Sequence, residues 1–248
     1  MQRFKLIQIS DCHLPESPDT PYRGKLVWQQ LEAIIERVAQ WSPDAVVASG
    51  DISEQSGPES YAFFQQVLSS LDVPVYCLSG NHDEREAMQA ALSEPLCMPT
   101  SIAHGNWRLH FLDSASHQRI HGELTPAQLD KLASAVDRQA EGWAMVFLHH
   151  QPILCGSHWI DRYPLQDPQP LLDLVDAQPK IRSVCWGHIH HDWRELRAHC
   201  LWMACPSTAY TVLPNQESLV KDPRGPACRW IELTDNGEIK TGIFHTGE

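Results

Sequence analysis

A chain of 248 residues with a formal net charge of −12, from 19 basic and 31 acidic residues, lacks the bulk basic character that a nucleic-acid or acidic-membrane surface needs. Its hydrophobic content of 42% suffices for a buried core, and the length suits one α/β domain over 1–248 better than two small ones. An anionic small substrate would need positive charge from elsewhere, and metal ions are one source.

The eight cysteines are scattered singly with no Cys-x-x-Cys pair, which argues against a zinc ribbon and for reduced, mostly buried thiols. The first apolar run is too short and polar-interrupted to be a secretory signal, and no stretch approaches the length of a membrane helix. A cytoplasmic location is the expectation.

Residues 4–9 read as a buried strand ending at Ser10-Asp11-Cys12-His13. On extended backbone alternate side chains share a face, so Asp11 and His13 point the same way and could chelate one metal. Taken alone, the pair reads more readily as a turn-capping Asp beside a solvated His. Residues 25–41 carry Leu31, Ile34, Ile35 and Val38 at helical spacing, and Pro43-Asp44 ends that helix. A second buried strand over 45–48 runs into Ser49-Gly50-Asp51, and a helix over 58–71 turns Tyr61, Phe64, Val67 and Leu68 inward. The third strand, 73–78, ends in Gly80-Asn81-His82-Asp83. That turn puts an amide, an imidazole and a carboxylate at a strand's carboxyl end, the edge where open α/β sheets bind ligands. A short helix over 85–92 follows, and the proline-rich 93–105 reads as an irregular loop.

Residues 107–112 form a strand ending in Asp113-Ser114, and Thr125-Pro126-Ala127-Gln128 starts a helix that reaches about residue 138. A buried strand over 144–148 ends at His149-His150-Gln151-Pro152, where adjacent histidines face opposite ways and one is the candidate ligand. A long loop over 157–167 holds His158, Trp159 and Tyr163. After a helix over 170–177, the strand 181–186 ends in Gly187-His188-Ile189-His190-His191; on extended backbone His188 and His190 share a side. Strands over 194–198, 201–204, 229–233 and 239–245 read as antiparallel, forming a second sheet beside the first, with Asp235-Asn236-Gly237 turning the last two.

The alternation of strand and helix favours a layered α/β fold. Asp11, His13, Asp51, Asn81, His82, His149, His188 and His190 then follow five separate strands, always at the carboxyl-side end. No cysteine joins them, which argues against a structural zinc cage, and imidazole with carboxylate and amide suits manganese, iron or zinc. The number of ligands is too large for one tetrahedral ion and suits two octahedral ions sharing Asp51. His104, His110, His117, His121, His158, His199 and His245 lack ligand spacing and read as surface or packing, with His150 and His191 as neighbours that support ligands.

Asp11-x-His13, Gly50-Asp51, Gly80-Asn81-His82-Asp83, His149-His150-x-Pro152 and Gly187-His188-x-His190 resemble, in order, the five motifs of calcineurin-like metallophosphoesterases. Leu112-Asp113-Ser114, Gly122-Glu123-Leu124, Trp159-Ile160-Asp161 and Pro206-Ser207-Thr208 are similar to bacterial class III 3′,5′-cyclic-AMP phosphodiesterases. The resemblance implies two packed mixed sheets flanked by helices, four layers in the order α-β-β-α. It implies two metal ions, iron or manganese, with zinc, cobalt or magnesium as alternatives. Asp11, His13, Asp51 and His190 would hold the first, and Asp51, Asn81, His149 and His188 the second. His82 would contact the scissile phosphate and Asp83 would orient it. A hydroxide shared between the metals would cleave a cyclic nucleotide to the 5′ nucleotide, in a monomer or homodimer.

Two positions depart from the pattern. Cys12 replaces a hydroxyl or aliphatic residue, which would make the site sensitive to oxidation or soft metals, and Asp167 stands where Asn is usual, which alters a substrate contact. The metal site reads only phosphate, so a glycerophosphodiester, a nucleotide pyrophosphate or a phosphomonoester is the alternative substrate. A non-catalytic scaffold should have lost a ligand, and none of the motif residues is missing.

Overall fold

Continuous apolar runs fold here as strands covered on both faces. In the computed structural model, which describes residues 3–116 and 118–246, Phe4, Leu6, Ala45 and Val47 point between two sheets, while Ile7, Ile9, Val46 and Ala48 meet helices. His117, read above as surface or packing, lies outside the described residues.

The chain runs β1 (Arg3–Ile9), α1 (Val27–Trp41), β2 (Ala45–Ser49), α2 (Pro58–Ser69), β3 (Val75–Leu78), α3 (Arg85–Ala91) and β4 (Leu96–Cys97). It continues with β5 (Ser101–His104), β6 (Trp107–Phe111), α4 (Pro126–Arg138), β7 (Trp143–Phe147), α5 (Gln169–Ala177), β8 (Ile181–Trp186), β9 (Trp193–Arg197), β10 (Cys200–Ala204), β11 (Ala227–Thr234) and β12 (Ile239–His245). Two six-stranded mixed sheets result, ordered β12-β11-β1-β2-β3-β4 and β5-β6-β7-β8-β10-β9. Helices α1 to α3 pack on the first sheet and α4 and α5 on the second, giving the four expected layers around three apolar clusters. On α1, Leu31, Ile34, Ile35 and Val38 are all buried, each worth roughly 1.5–3 kcal/mol over exposure. Helix α4 starts in a capping box, Thr125 and Gln128 each bonding the other's backbone.

Two expectations are corrected. Residues 93–105 are not an irregular loop: they contain β4, parallel to β3, and β5, antiparallel to β6. Both are short edge strands held by ladder bonds that local composition does not announce. Nor do the last four strands make a sheet of their own. Strands β9 and β10 extend the second sheet, β10 lying parallel to β8, and β11 and β12 extend the first, β11 lying antiparallel to β1. Ile231 and Leu233 of β11 join the cluster between the sheets, so the division buries apolar side chains on both partners. The turn at Asp235-Asn236-Gly237 does connect β11 and β12.

Strands β1, β2 and β3 are mutually parallel, and so are β6, β7 and β8, so each sheet gathers its carboxyl ends on one edge. Gln8 Nε2 donates to Ser49 Oγ at 2.9 Å and to the Trp186 carbonyl at 3.0 Å, tying the two edges together. Among the described residues no helix is long and apolar enough to cross a membrane.

Candidate metal centre

The loops leaving β1, β2 and β8 share a backbone feature. Asp11, His13, Asp51, His188 and His190 have φ of 55°, 43°, 52°, 64° and 58°, the left-handed region. The expectation of extended backbone at these pairs is therefore wrong, although its consequence survives. Each pair alternates left-handed residues with an ordinary one, and that curl aims both side chains at one point. Such φ values cost of order 1–3 kcal/mol each and persist where surrounding bonds over-determine them. Here the Asp11 amide donates to the Gly50 carbonyl and the His13 amide to the Asp51 carbonyl, both at 2.9 Å. Glycine permits the close approach: a Cβ on Gly80 would strike the Asp51 carboxylate and the His149 ring, and one on Gly187 would strike Ser10.

The strand-end residues converge. Asp11, His13 and His190 bring ligand-type atoms within 4.8 Å of one another, as do His13, Asp51 and His82; Asp11, Asp51 and His149; and His149, His150 and His188. Asp51 Oδ2 lies 3.4 Å from His149 Nε2 and 3.8 Å from His13 Nε2, and Asp11 Oδ1 lies 3.3 Å from His190 Nε2. Asn81 follows Gly80 in the same turn, and its Oδ1 is buried with no hydrogen-bond partner.

Hydrogen bonds to the far nitrogens set the tautomers. His149 Nδ1 donates to the Ser49 carbonyl at 2.8 Å, His190 Nδ1 to the Tyr210 carbonyl at 3.0 Å, and His13 Nδ1 faces Glu54 Oε2 at 2.7 Å. Each of these bonds leaves Nε2 as the nitrogen turned into the cluster. His188 is reversed: its Nε2 donates to the Tyr163 carbonyl at 3.1 Å, leaving Nδ1 for the cluster. Orienting bonds of this kind are what metal-ligating histidines make. His150 is different, because its Nε2 donates to the Ile120 carbonyl at 3.1 Å and its Nδ1 meets the Ser114 hydroxyl at 2.9 Å. With both nitrogens committed, His150 braces its neighbour.

Electrostatics agree with a cation site. Burial holds His13 and His188 below the ordinary imidazole range, so both are neutral and carry lone pairs. Burial works against the charge on Asp51 and Asp11, yet the imidazoles around them win: His149 chiefly holds Asp51 well down, and His190 holds Asp11 down. His149 is likewise opposed by burial but is raised to about 9 by Asp51, so the cluster draws positive charge even from a proton. His13 Nε2 and His190 Nε2 lie 3.2 Å apart, and His149 Nε2 is buried without a hydrogen-bond partner. Facing lone pairs, two buried carboxylates and an orphaned amide oxygen are a donor set that fits borderline or hard divalent cations.

The pattern that describes calcineurin-like phosphoesterases matches residues 4–192. The chain belongs to that family. It is 36% identical over 240 residues to 3′,5′-cyclic adenosine monophosphate phosphodiesterase CpdA of Pseudomonas aeruginosa, covering 96% of this chain and 88% of that protein. It is 31% identical over 243 residues to a 3′,5′-cyclic-nucleotide phosphodiesterase of Nostoc, covering 97% and 91%. Among solved structures a dimetal phosphatase from Danio rerio superposes with a TM-score of 0.70 at 14% identity, over 96% of this chain and 98% of that one, which shows the shared fold.

Some residues around this candidate centre carry no mark in the sequence. Glu54 lies outside the five motifs; its carboxylate meets His13, and its carbonyl accepts from His82 Nδ1 at 3.1 Å. Glu54 rather than Asp83 therefore orients His82. The Asp83 carboxylate is taken by the amides of Ile52, Ser53 and Gly80 and by the Tyr61 hydroxyl, at 3.0–3.1 Å, clamping the loop after β2 to the loop after β3. Ser114 Oγ accepts from the amides of both His149 and His150 at 3.2 Å, and Ser207 Oγ donates to the Asp11 carbonyl at 2.7 Å. Trp159 sets its ring edge-on to His190 at 6.2 Å, so the 157–167 loop does lie against the site, while Asp161 caps the Cys155 and Gly156 amides.

Cys12 corrects another expectation. It is 1% exposed within the apolar cluster beneath α1, and burial pushes its thiol up to about 12, so it is neither an exposed thiolate nor a soft ligand. Asp167 is exposed at the entrance to α5 with φ of 44°. His104 stacks on Phe4 at 3.8 Å, and His158 pairs with Glu217 at 2.9 Å.

Proposed function

We propose that this phosphoesterase hydrolyses 3′,5′-cyclic AMP, and related 3′,5′-cyclic nucleotides, to the 5′ nucleotide with two bound metal ions, iron or manganese by preference. The observation that carries the reading is Asp51, a buried carboxylate within 3.4 Å of His149 and 3.8 Å of His13, where two groups of ligand-type atoms overlap. The substrate class is supported by the names of the relatives from Pseudomonas aeruginosa and Nostoc.

Asp11, His13, Asp51 and His190 would hold one ion, and Asp51, Asn81, His149 and His188 the other. Divalent ions there would supply Lewis acidity toward phosphate oxygens and lower the pKa of water from about 16 toward about 7. The protein's own contribution begins with His82, whose Nδ1 is fixed on the Glu54 carbonyl while the side chain stays 36% exposed. Burial opposes its charge, but Asp51 and Glu54 outweigh that and raise its pKa. The imidazolium can give its proton to O3′ as the P–O3′ bond breaks, while the water that adds to phosphorus releases a proton to solvent from which His82 is recharged, help worth about 10²- to 10⁴-fold. Asp51 Oδ1 accepts the His82 amide at 2.8 Å, so the residue shared by both groups also fixes the proton donor's backbone. Tyr22 lies flat on His13 at 4.6 Å, with the Arg23 guanidinium 5.5 Å above Tyr22 and 5.9 Å from the Tyr210 ring. This wall offers local positive charge and aromatic surface to a nucleotide anion, against a net charge of −12.

The same reading takes 1–248 as one metallophosphoesterase domain, a monomer or homodimer working in the cytoplasm, where its eight free cysteines stay reduced. The test is turnover of the manganese- or iron-loaded protein on cyclic AMP, cyclic GMP, a 2′,3′-cyclic nucleotide, a glycerophosphodiester and a nitrophenyl phosphomonoester, with products resolved by chromatography. Cyclic AMP should give 5′-AMP with kcat/KM at least about tenfold above the 2′,3′ isomer. Turnover confined to the monoester or the glycerophosphodiester would overturn the assignment.

A further inference from the structure

A cavity of about 650 Å³ opens at the side of the sandwich, between the carboxyl end of β3, the loop before β5, strand β6 and helix α4. Its volume falls within the roughly 300–1,000 Å³ typical of small-molecule pockets. The floor is apolar, with Leu78, Met98, Phe111 and Leu132 among its lining. The rim is cationic: Arg85, Lys131 and Arg138 face it against one carboxylate, Asp113. That balance is reversed from the chain as a whole, whose net charge is −12.

Asp113 is already engaged, by Arg85 at 2.5 Å, the Ser79 hydroxyl at 2.9 Å and the Ala115 amide at 3.1 Å. Lys131 and Arg138 sit two helical turns apart on one face of α4, and neither makes an ion pair among the described residues. His110 lines the cavity with only 3% exposure, and its Nε2 is buried with no hydrogen-bond partner.

We infer that this cavity binds a small organic anion, its flat apolar body on the Leu78, Met98, Phe111 and Leu132 floor and its acidic head group on Lys131 and Arg138. None of these residues belongs to the candidate metal centre, although Asp113 reaches it through Ser79, next to Gly80. The inference does not depend on which phosphate ester the enzyme cleaves.

The probe is 8-anilinonaphthalene-1-sulfonate, a fused ring system with one sulfonate, compared with N-phenyl-1-naphthylamine, which keeps the rings and lacks the charge. Fluorescence titration of the folded, metal-loaded protein should give saturable binding of the sulfonate at least about tenfold tighter than the neutral amine. The double variant Lys131→Glu/Arg138→Glu should erase that preference, and Ala135→Trp, which fills the cavity, should abolish binding of both probes. Unchanged thermal unfolding and phosphodiester turnover would certify that each variant is folded. Equal affinity for the two probes, unsaturable binding, or wild-type binding by both folded variants would overturn the inference.

Discussion

His13 and His190 approach each other through Nε2 atoms 3.2 Å apart, while their Nδ1 atoms are occupied by Glu54 and by the Tyr210 carbonyl. With Nδ1 taken in each ring, both Nε2 atoms turn toward the same point, where a shared cation would bind them together. Thermal unfolding should therefore respond to metal. Manganese at about 100 times its Kd should stabilise the fold by about 2.7 kcal/mol, and a chelator should reverse the shift. Identical melting curves with and without metal would show that the cluster holds none.

Asp51→Asn preserves volume and hydrogen-bonding capacity but removes the charge that His149, His13 and His82 surround. Loss of a residue that merely orients a ligand costs about 10- to 100-fold in affinity or activity, and loss of a shared ligand should exceed that. The expected result is phosphodiester turnover below about 1% of wild type with an unchanged circular dichroism spectrum. A fully active Asp51→Asn protein containing both metals would refute the shared-carboxylate arrangement.

Glu54→Gln tests the orienting role that its contacts with His13 and His82 assign. Its side chain can still meet His13, but the carboxylate charge is gone. Metal affinity, read by competition with a fluorescent chelator, should weaken about 10- to 100-fold. The bond from His82 Nδ1 to the Glu54 main-chain carbonyl should survive, so with saturating metal kcat should fall less than in His82→Ala, which loses the proton donor and about 10²- to 10⁴-fold. Equal kcat losses in the two variants would contradict this division.

The set Asp11, His13, Asp51, Asn81, His82, His149, His188 and His190 was legible because each follows an apolar run, and parallel pairing of such runs gathers their carboxyl ends. Two kinds of information were not legible. Backbone carbonyls of Ser49, Tyr163 and Tyr210 choose the histidine tautomers, and every residue carries a carbonyl, so sequence has no mark for them. Left-handed φ at Asp11, His13, His188 and His190 arises from the crossing of loops, where tertiary bonds such as His13 N to Asp51 O override local preference. The edge strands β4 and β5 were missed for a related reason, since two- and four-residue segments take their conformation from the neighbour they pair with. Glu54 did have a faint signal, an acid three residues beyond Asp51 in the same turn.

His110 makes a prediction about acid stability that is separate from metal binding. Burial, assisted by Arg108, lowers its pKa to about 4, against an ordinary value of 6.5. Between these values the unfolded chain takes up a proton that the folded chain refuses. The stability gained by keeping His110 neutral is thus present above about pH 6.5 and lost as pH falls toward 4. Linkage puts the loss at about 2 kcal/mol by pH 5 and about 3 kcal/mol in full. Urea unfolding of chelator-treated protein at pH 7 and pH 5 should show a larger acid loss for wild type than for His110→Leu, because the leucine has no proton to gain in either state. Subtracting the two proteins cancels the contributions of His149, His150 and the other titrating groups. Equal losses in the two proteins would mean that His110 is protonated in the folded state as readily as in water.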